Sequence, residues 1–196
     1  NPVVKYAFQP RTPDEIPGVV RKGFYIAETG RPGPVLIDIP KDVQQKEASM
    51  VFPDEFKIRG YHPWTDPDIV HVERAIEMLL SAEKPIILAG GGTIISSAFA
   101  ELQSIAELLM IPVVTTFKGK GAFPENHPLS LGPIGMHGHA EANKMMTEAD
   151  CVLAMGTRFS DRSVGTFEAF EKRLKIIHMD VDPAEIGKNQ TTSITV

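Results

Sequence analysis

The sequence predicts an α/β fold in which a doubly wound parallel sheet carries helices on both faces. Short apolar segments, such as residues 85–89 and 151–155, have the length of strands that are buried on both sides. Segments with apolar residues at helical spacing lie between them. Strands and helices that alternate in this way favour a parallel sheet with helices packed above and below it.

The beginning of the chain predicts one helix followed by one strand. Residues 12–15 have the pattern of a helix start, with Thr12 as the cap and Glu15 returning a bond to it. Gly30 predicts the end of this helix, and residues 35–39 predict a buried strand. Charged residues then mix with Pro and Gly without periodicity, which is typical of a linker. The predicted organisation is a first unit at residues 1–44, a linker at residues 45–65 and a second unit at residues 66–196.

Regular alternation begins at residue 66. A helix is predicted to open at Asp66 and Pro67. Its apolar stripe consists of Ile69, Val72, Ile76, Leu79 and Leu80. The later elements are strands at residues 85–89, 112–116, 151–155 and 175–179, helices around residues 102–109 and 140–147, and a last strand within residues 192–196. A long loop connects residue 116 to residue 140, and the whole order predicts a Rossmann-like sheet with right-handed crossovers.

Composition disfavours several classes of function. The formal net charge is −5 and Lys and Arg form no cluster, so a nucleic-acid surface is disfavoured. No apolar run approaches the roughly 20 residues that a membrane span needs. The single cysteine, Cys151, lies in an apolar strand and is predicted to be a buried, inert thiol. These features fit a cytoplasmic protein, and a start at Asn1 rather than Met suggests an excised or processed segment.

Glycine and polar residues follow four of the predicted strands. Ligands of open parallel sheets bind beyond the carboxyl ends of the strands. Glycines at these positions let backbone N–H groups approach a phosphate, and a following helix adds its positive end. One glycine turn alone could equally be a tight connection, but four coincident clusters predict a nucleotide-type site. The clusters are residues 90–92, 116–119, 156–158 and 180–182.

Several familiar motifs are absent from the sequence. Ile95 stands where the dinucleotide fingerprint G-x-G-x-x-G needs its last glycine, so an ordinary NAD dehydrogenase is disfavoured. Residues 119–121 are too short for a P-loop, and G-x-S-x-G does not occur. His139 and Glu141 match the H-x-E of zinc deaminases, but one cysteine cannot complete that site. We therefore expect no metal site.

The pattern leaves open the role of the charges at residues 158–162 and at Arg31. Two guanidinium groups at the mouth of a site could hold phosphate or carboxylate oxygens in bidentate geometry. The same side chains could equally form surface ion pairs that contribute little.

Four longer motifs resemble acetolactate synthase (acetohydroxyacid synthase) catalytic subunits, which are thiamine-diphosphate-dependent enzymes. The motifs are GRPGPVLIDIPKDVQ at residues 30–44, TTFKGKGAFPE at 115–125 with LGPIGMHG at 131–138, GTRFSDR at 156–162, and HMDVDPAEIGKN at 178–189. The resemblance covers essentially the whole chain. It implies that residues 1–44 end the pyrimidine-binding domain and that residues 66–196 are most of the central FAD-binding domain, cut short at its C-terminal end.

The family's activity follows from the resemblance. It implies condensation of pyruvate with pyruvate or 2-oxobutanoate, with decarboxylation, in branched-chain amino-acid biosynthesis. Thiamine diphosphate and Mg²⁺ would bind mainly outside this chain, and FAD would bind the central domain. Homodimers or homotetramers, with or without a regulatory subunit, are implied as well. Because the catalytic glutamate and the Mg²⁺-binding segment would lie beyond its two ends, we expect no catalytic residue within the chain and no activity from it alone.

Matching motif by motif assigns site residues. Arg162 matches the arginine that recognises the carboxylate of the second 2-oxo acid, and Asp161 would support it. Ser160 replaces an aspartate that is common in the family. The FAD contacts would come from Arg31, Gly90, Gly91, Gly92, Thr116, Phe117, Lys118, Gly135, Met136, His137, Gly138, Gly156, Thr157, Arg158, Asp180 and Val181.

Two alternatives remain open. One is the central domain of another thiamine-diphosphate enzyme, such as pyruvate oxidase, oxalyl-CoA decarboxylase or glyoxylate carboligase. Residues 135–138 and 185–189 favour acetolactate synthase over these relatives. The other alternative is a stand-alone nucleotide-binding or regulatory module without catalysis.

Overall fold

The computed structural model describes residues 3–49, 51–53, 56–63, 66–160 and 174–196. The chain divides into two compact units, Asn1–Thr65 and Asp66–Val196. The larger unit contains a six-stranded parallel sheet with helices on both faces, which confirms the predicted fold class. In the described part of the chain, no helix combines the length and hydropathy that a membrane span requires.

The first unit is a small β–α–β arrangement. Its elements are β1 (Tyr6–Phe8), a 3₁₀ turn (Pro13–Glu15), α1 (Ile16–Glu28), β2 (Val35–Ile37) and the short helix α2 (Lys41–Gln44). β1 and β2 pair in parallel, with Tyr6 opposite Val35. The short strand β1 was not predicted, and β2 is two residues shorter than the apolar run that predicted it.

The start of α1 differs from the prediction in its hydrogen bonds. Among the described residues, the Thr12 side chain makes no capping hydrogen bond. The Glu15 carboxylate instead accepts a hydrogen bond from the Arg11 N–H at 2.9 Å. The chain therefore makes one 3₁₀ turn before the α-helix begins at Ile16. The predicted stop is correct, because Gly30 adopts a φ of 61° just after the helix.

The side chain of Lys5 caps the C-terminal end of α1. The Lys5 ammonium donates hydrogen bonds to the carbonyl oxygens of Ile26 and Thr29, at 2.5 and 2.7 Å. A cation at this position complements the negative end of the helix. A Cβ on Gly33 would lie 3.0 Å from the Lys5 side chain. The Gly-Arg-Pro-Gly turn that carries Arg31 therefore packs closely against this capping lysine.

The second unit follows the strand order β5-β4-β3-β6-β7-β8, and all neighbouring strands are parallel. The chain builds one half of the sheet outward from β3 and then returns to place β6 on the other side of β3. The two halves therefore meet between β3 and β6, which is the topological switch point of a doubly wound sheet. The elements of the second unit are α3 (Ile69–Leu80), β3 (Pro85–Ala89), α4 (Gly91–Ile95), α5 (Phe99–Leu109), β4 (Val113–Thr115), a 3₁₀ turn (Phe117–Gly119), β5 (Ser130–Pro133), α6 (Ala140–Glu148), β6 (Cys151–Met155), β7 (Lys175–Met179) and β8 (Ile194–Thr195).

The two faces of this sheet form two separate cores. α3 and α5 pack on one face through residues such as Leu79 and Leu102. α6 packs on the other face through Ala142 and Met146. The Cys151 side chain is fully buried in the first core, and burial raises the pKa of its thiol to about 11. The prediction of a buried thiol is confirmed.

Helix α3 departs from its predicted boundary and face. It begins at Ile69, because the Asp68 carboxylate accepts a hydrogen bond from the Val70 N–H at 3.0 Å and caps the helix there. Of the predicted stripe, Leu79 is buried, whereas Ile69, Ile76 and Leu80 are exposed. The core contacts come from Ala75, Met78 and Leu79, so the buried face is rotated from the predicted one.

Strand β5 lies where the sequence predicted a loop. It contains Gly132, with a φ of 82°, and ends at Pro133. Both residues weaken a strand pattern, but β5 is an edge strand, where proline is tolerated. A register shift opposite Val113 and Val114 accommodates the irregular backbone. Because β5 is parallel to β4, residues 135–138 are carried to the same edge of the sheet as the other predicted site residues.

Candidate functional site

Five parallel strands deliver the predicted ligand-binding residues to one edge of the sheet. β3, β4, β5, β6 and β7 all end there, and each is followed by a predicted segment. The segments are residues 90–92, 116–118, 135–138, 156–158 and 180–181. The arrangement explains why residues distant in sequence can form one site.

The loops after β3 and β6 meet backbone to backbone at the switch point. The Gly90 N–H donates to the Met155 carbonyl at 2.8 Å, and the Gly92 N–H donates to the Gly156 carbonyl at 2.9 Å. A Cβ on Gly90 would overlap the Gly156 carbonyl oxygen, and one on Gly92 would lie 2.6 Å from the Gly156 Cα. Glycine is therefore required at these positions for close packing of the two loops.

This packing changes the role that the sequence suggested for the glycines. The N–H groups of Gly90 and Gly92 are used inside the protein, so they are not available to hold a phosphate. The helix that follows, α4, has only five residues and adds little positive charge. Among the side chains at this edge, Lys118 and Arg158 are exposed and can offer positive charge to an anionic ligand.

The loop after β4 packs closely on the end of β3. The Thr116 N–H donates to the Ala89 carbonyl at 3.0 Å, and the Thr116 hydroxyl accepts a hydrogen bond from the Gly119 N–H at 3.0 Å. A Cβ on Gly119 would overlap the Ala89 carbonyl oxygen. These contacts fix a 3₁₀ turn whose Phe117 side chain is 79% exposed.

An asparagine that the sequence reasoning missed holds the loop after β5. The Asn143 side chain accepts a hydrogen bond from the Gly135 N–H at 2.9 Å and donates one to the Gly135 carbonyl at 3.0 Å. Gly135 has a φ of 105°, which disfavours any other residue. Both bonds come from α6 and fix the start of the turn that exposes Met136 and His137.

The turn after β6, residues 156–159, is strained and held from one side. Gly156 and Phe159 both have positive φ, 57° and 48°. Such a backbone conformation costs about 1–3 kcal/mol for a residue other than glycine and persists where surrounding contacts over-determine it. The Thr157 carbonyl accepts a hydrogen bond from His178 Nε2 at 2.8 Å, and the Arg158 carbonyl accepts one from Asn189 Nδ2 at 2.8 Å.

His178 is a neutral, buried side chain beneath this turn. Burial lowers the pKa of His178, and the Thr157 carbonyl, Asp180 and Glu185 oppose this effect. Because Nε2 faces a carbonyl oxygen, it carries the proton. Nδ1 is buried without a hydrogen-bond partner among the described residues. The Phe159 ring packs edge-on against the imidazole, with ring centroids 5.2 Å apart.

The loop after β7 is shaped by its own carboxylates. Asp180 accepts a hydrogen bond from the Asp182 N–H at 2.9 Å, and Asp182 accepts one from the Ala184 N–H at 3.0 Å. These successive turns leave Val181 47% exposed. The described residues contain no group of three or more His, Cys, Asp or Glu side chains placed to hold a metal ion.

Three exposed apolar side chains lie at this edge of the sheet. Phe117, Met136 and Val181, each from a different loop, are 79%, 77% and 47% exposed. A single exposed apolar residue needs no explanation, but three at the carboxyl ends of strands suit a ligand with flat, apolar rings.

Three of the predicted residues belong to the first unit or fall outside the described residues. Arg31 is half-buried in the first unit, on the turn after α1. Asp161 and Arg162 lie outside the described residues, so their predicted role stays a prediction. Ser160, the last described residue before them, is half-buried.

Comparison with protein families identifies the class to which this architecture belongs. The family model "Thiamine pyrophosphate enzyme, central domain" matches residues 72–196, which are most of the second unit. The chain therefore belongs to the thiamine pyrophosphate enzymes and contains their central domain.

The curated relatives are acetolactate synthases, which confirms the resemblance found in the sequence. The chain is 49% identical to the probable acetolactate synthase large subunit of Methanocaldococcus jannaschii, over 100% of this chain and 34% of that relative. It is 44% identical to the acetolactate synthase of Arthrospira platensis, over 100% of this chain and 34% of that relative. For the large subunit of Corynebacterium glutamicum the identity is 43%, over 100% of this chain and 31% of that relative. The chain thus spans about a third of the length of these relatives.

Replacing Gly156 by alanine is expected to destabilise the protein by about 2–4 kcal/mol. The new Cβ would lie 2.5 Å from the Gly92 Cα, on a residue with a φ of 57°. Gly121→Ala is the matched control, because Gly121 has a φ of 92° but no atom within 4 Å of the added Cβ. Guanidinium unfolding followed by circular dichroism measures both, and equal losses would refute the close packing of the two loops.

Acidification is expected to destabilise the fold through His178. Its ordinary pKa is about 6.5, so the unfolded chain takes up a proton below that pH, whereas the buried side chain resists it. The stability is complete above the ordinary pKa and is lost as the pH falls through the lowered pKa of the folded state. His178→Gln, which does not titrate, should lose less thermal stability than the unaltered protein between about pH 7.5 and 5.5. An identical pH dependence of the two thermal midpoints would contradict the assignment.

Proposed function

We propose that this chain supplies the central, FAD-binding domain of an acetolactate synthase. That enzyme condenses pyruvate with pyruvate or 2-oxobutanoate and releases carbon dioxide, in branched-chain amino-acid biosynthesis. The observation that carries the proposal is the switch-point edge, where glycine-packed loops expose Phe117, Met136 and Val181 beside the cations Lys118 and Arg158. The names of the relatives support the particular activity.

The first unit is proposed to be the end of the pyrimidine-binding domain. Residues 30–44 carry the motif that matches that domain, and they include β2 and α2. Residues 45–65 would then link this domain to the central one.

The chemistry of the edge fits FAD. The diphosphate would be held by Arg158 and Lys118, whose positive side chains are exposed at this edge. Flat rings would contact the exposed apolar side chains of Phe117, Met136 and Val181. Asp180 offers a carboxylate for hydroxyl groups. The remaining residues proposed for the site are Arg31, Gly90, Gly91, Gly92, Thr116, Gly135, His137, Gly138, Gly156 and Thr157.

The flavin is proposed to be largely structural in this carboligation. When bound, it would fill the edge of the sheet and cover its apolar side chains. Thiamine diphosphate and Mg²⁺ would be held mainly by parts of the enzyme that this chain does not contain. Arg162, supported by Asp161, is proposed to recognise the carboxylate of the second 2-oxo acid. A homodimer or homotetramer, with or without a regulatory subunit, and a cytoplasmic location complete the proposal.

Titration with FAD tests the cofactor assignment. The complete protein is expected to quench flavin fluorescence saturably and to gain thermal stability. Arg158→Ala should weaken binding at least about tenfold, because it removes a charge-assisted contact to the diphosphate. Arg74→Ala, an exposed arginine on α3, is the matched control and should bind as the unaltered protein does. No saturation at high micromolar FAD would overturn the flavin site.

Product analysis separates acetolactate synthase from its relatives. With pyruvate, thiamine diphosphate and Mg²⁺, the complete protein is expected to form acetolactate and release carbon dioxide. A pyruvate oxidase would consume oxygen instead, and a glyoxylate carboligase would act on glyoxylate. Acetolactate measured by its decarboxylation to acetoin, with no oxygen uptake, is the expected result. Turnover of only glyoxylate, or of oxygen with pyruvate, would favour the other enzymes, and no turnover with any of them would favour a non-catalytic module.

A further inference from the structure

We propose that His178 and Asn189 are positioning residues that together fix the backbone on both sides of Arg158. The inference rests on the proposed FAD site and adds two residues that none of the sequence motifs assigned to ligand binding. His178 lies on β7 and Asn189 lies in the segment that follows it, and each donates a hydrogen bond to the turn after β6.

The two hydrogen bonds fall on consecutive peptide groups. The Thr157 carbonyl belongs to the planar peptide group that precedes the Arg158 Cα, and the Arg158 carbonyl belongs to the one that follows it. His178 Nε2 holds the first at 2.8 Å, and Asn189 Nδ2 holds the second at 2.8 Å. When both planes are fixed, φ and ψ of Arg158 are fixed as well, and with them the direction in which its side chain leaves the backbone.

The backbone conformation of this turn is unfavourable and needs contacts from residues outside the turn. Gly156 and Phe159, on either side, both adopt positive φ, which is unfavourable for phenylalanine. Phe159 is buried and its ring rests edge-on against the His178 imidazole. The same histidine therefore holds the turn at two points, through a carbonyl group and through an aromatic ring.

The two donors differ in burial, and this difference makes the test informative. His178 is 1% exposed, so its replacement also disturbs the core. Asn189 is exposed, so its replacement removes the hydrogen bond with little change in packing. Agreement between variants at the two positions would be difficult to explain by loss of stability alone.

The experiment compares FAD affinity among variants of the complete protein. His178→Leu removes the donor, whereas His178→Gln keeps an N–H group near the position of Nε2. Asn189→Leu removes the donor with a side chain of similar shape and adds no charge near Arg158. His127→Leu is the matched control, because His127 also packs edge-on against a phenylalanine, Phe123, at 4.9 Å, but precedes β5 at the opposite end of the sheet.

We expect His178→Leu and Asn189→Leu each to raise the Kd for FAD about tenfold, the effect of losing one hydrogen bond in a fixed geometry. His178→Gln should stay within about threefold of the unaltered protein, and His127→Leu should not change the Kd. In an Arg158→Ala background, Asn189→Leu should have almost no further effect, because it acts through Arg158. The absorbance band of the bound flavin should shift in the same variants that lose affinity.

The outcomes separate this inference from the proposed function. If the unaltered protein does not bind FAD, the flavin site itself is overturned, and the inference with it. If the unaltered protein binds FAD and Asn189→Leu binds equally well, only the positioning role is overturned. Additive effects of Asn189→Leu and Arg158→Ala would likewise refute action through Arg158. Because Asn189 is exposed, this result can be obtained even if His178→Leu does not fold.

Discussion

The second unit depends on one close approach, in which the backbone loops after β3 and β6 pack against each other without side chains between them. Gly90 and Gly92 on one side and Gly156 on the other leave no space for a Cβ. The sheet can therefore bring its two halves together at the switch point, where the ligand edge forms. The same contact uses the N–H groups of Gly90 and Gly92, and the exposed side chains of Lys118 and Arg158 add positive charge to the edge.

The sequence predicts the long, buried strands of this fold better than the short ones. β3, β6 and β7 were predicted to the residue, because buried parallel strands are continuous apolar runs bounded by turns. β1 and β5 were missed, since they have three and four residues and β5 contains a glycine and a proline. The buried face of α3 was also predicted poorly, because apolar spacing alone does not tell which side of a helix meets the sheet.

The sequence predicted the loops of the candidate site but not the residues whose hydrogen bonds hold those loops. Glycine and polar clusters after apolar strands are local signals, and the structure brings five such segments to one edge. Asn143, His178 and Asn189 gave no such signal, because they act by side-chain bonds to distant backbone. The bonds of His178 and Asn189 span 21 and 31 residues along the chain. Such pairings become visible only when the fold brings the two segments together.

The three switch-point glycines separate the part of the domain that resists substitution from the part that tolerates it. Enlarging any one of them requires the others to move, so a single substitution there costs stability. Phe117, Met136 and Val181 are under no such restraint, because their side chains are exposed on loops whose backbone is already fixed. Substitutions at the loop tips can therefore alter what the edge binds, or abolish binding, while the glycine contact preserves the architecture.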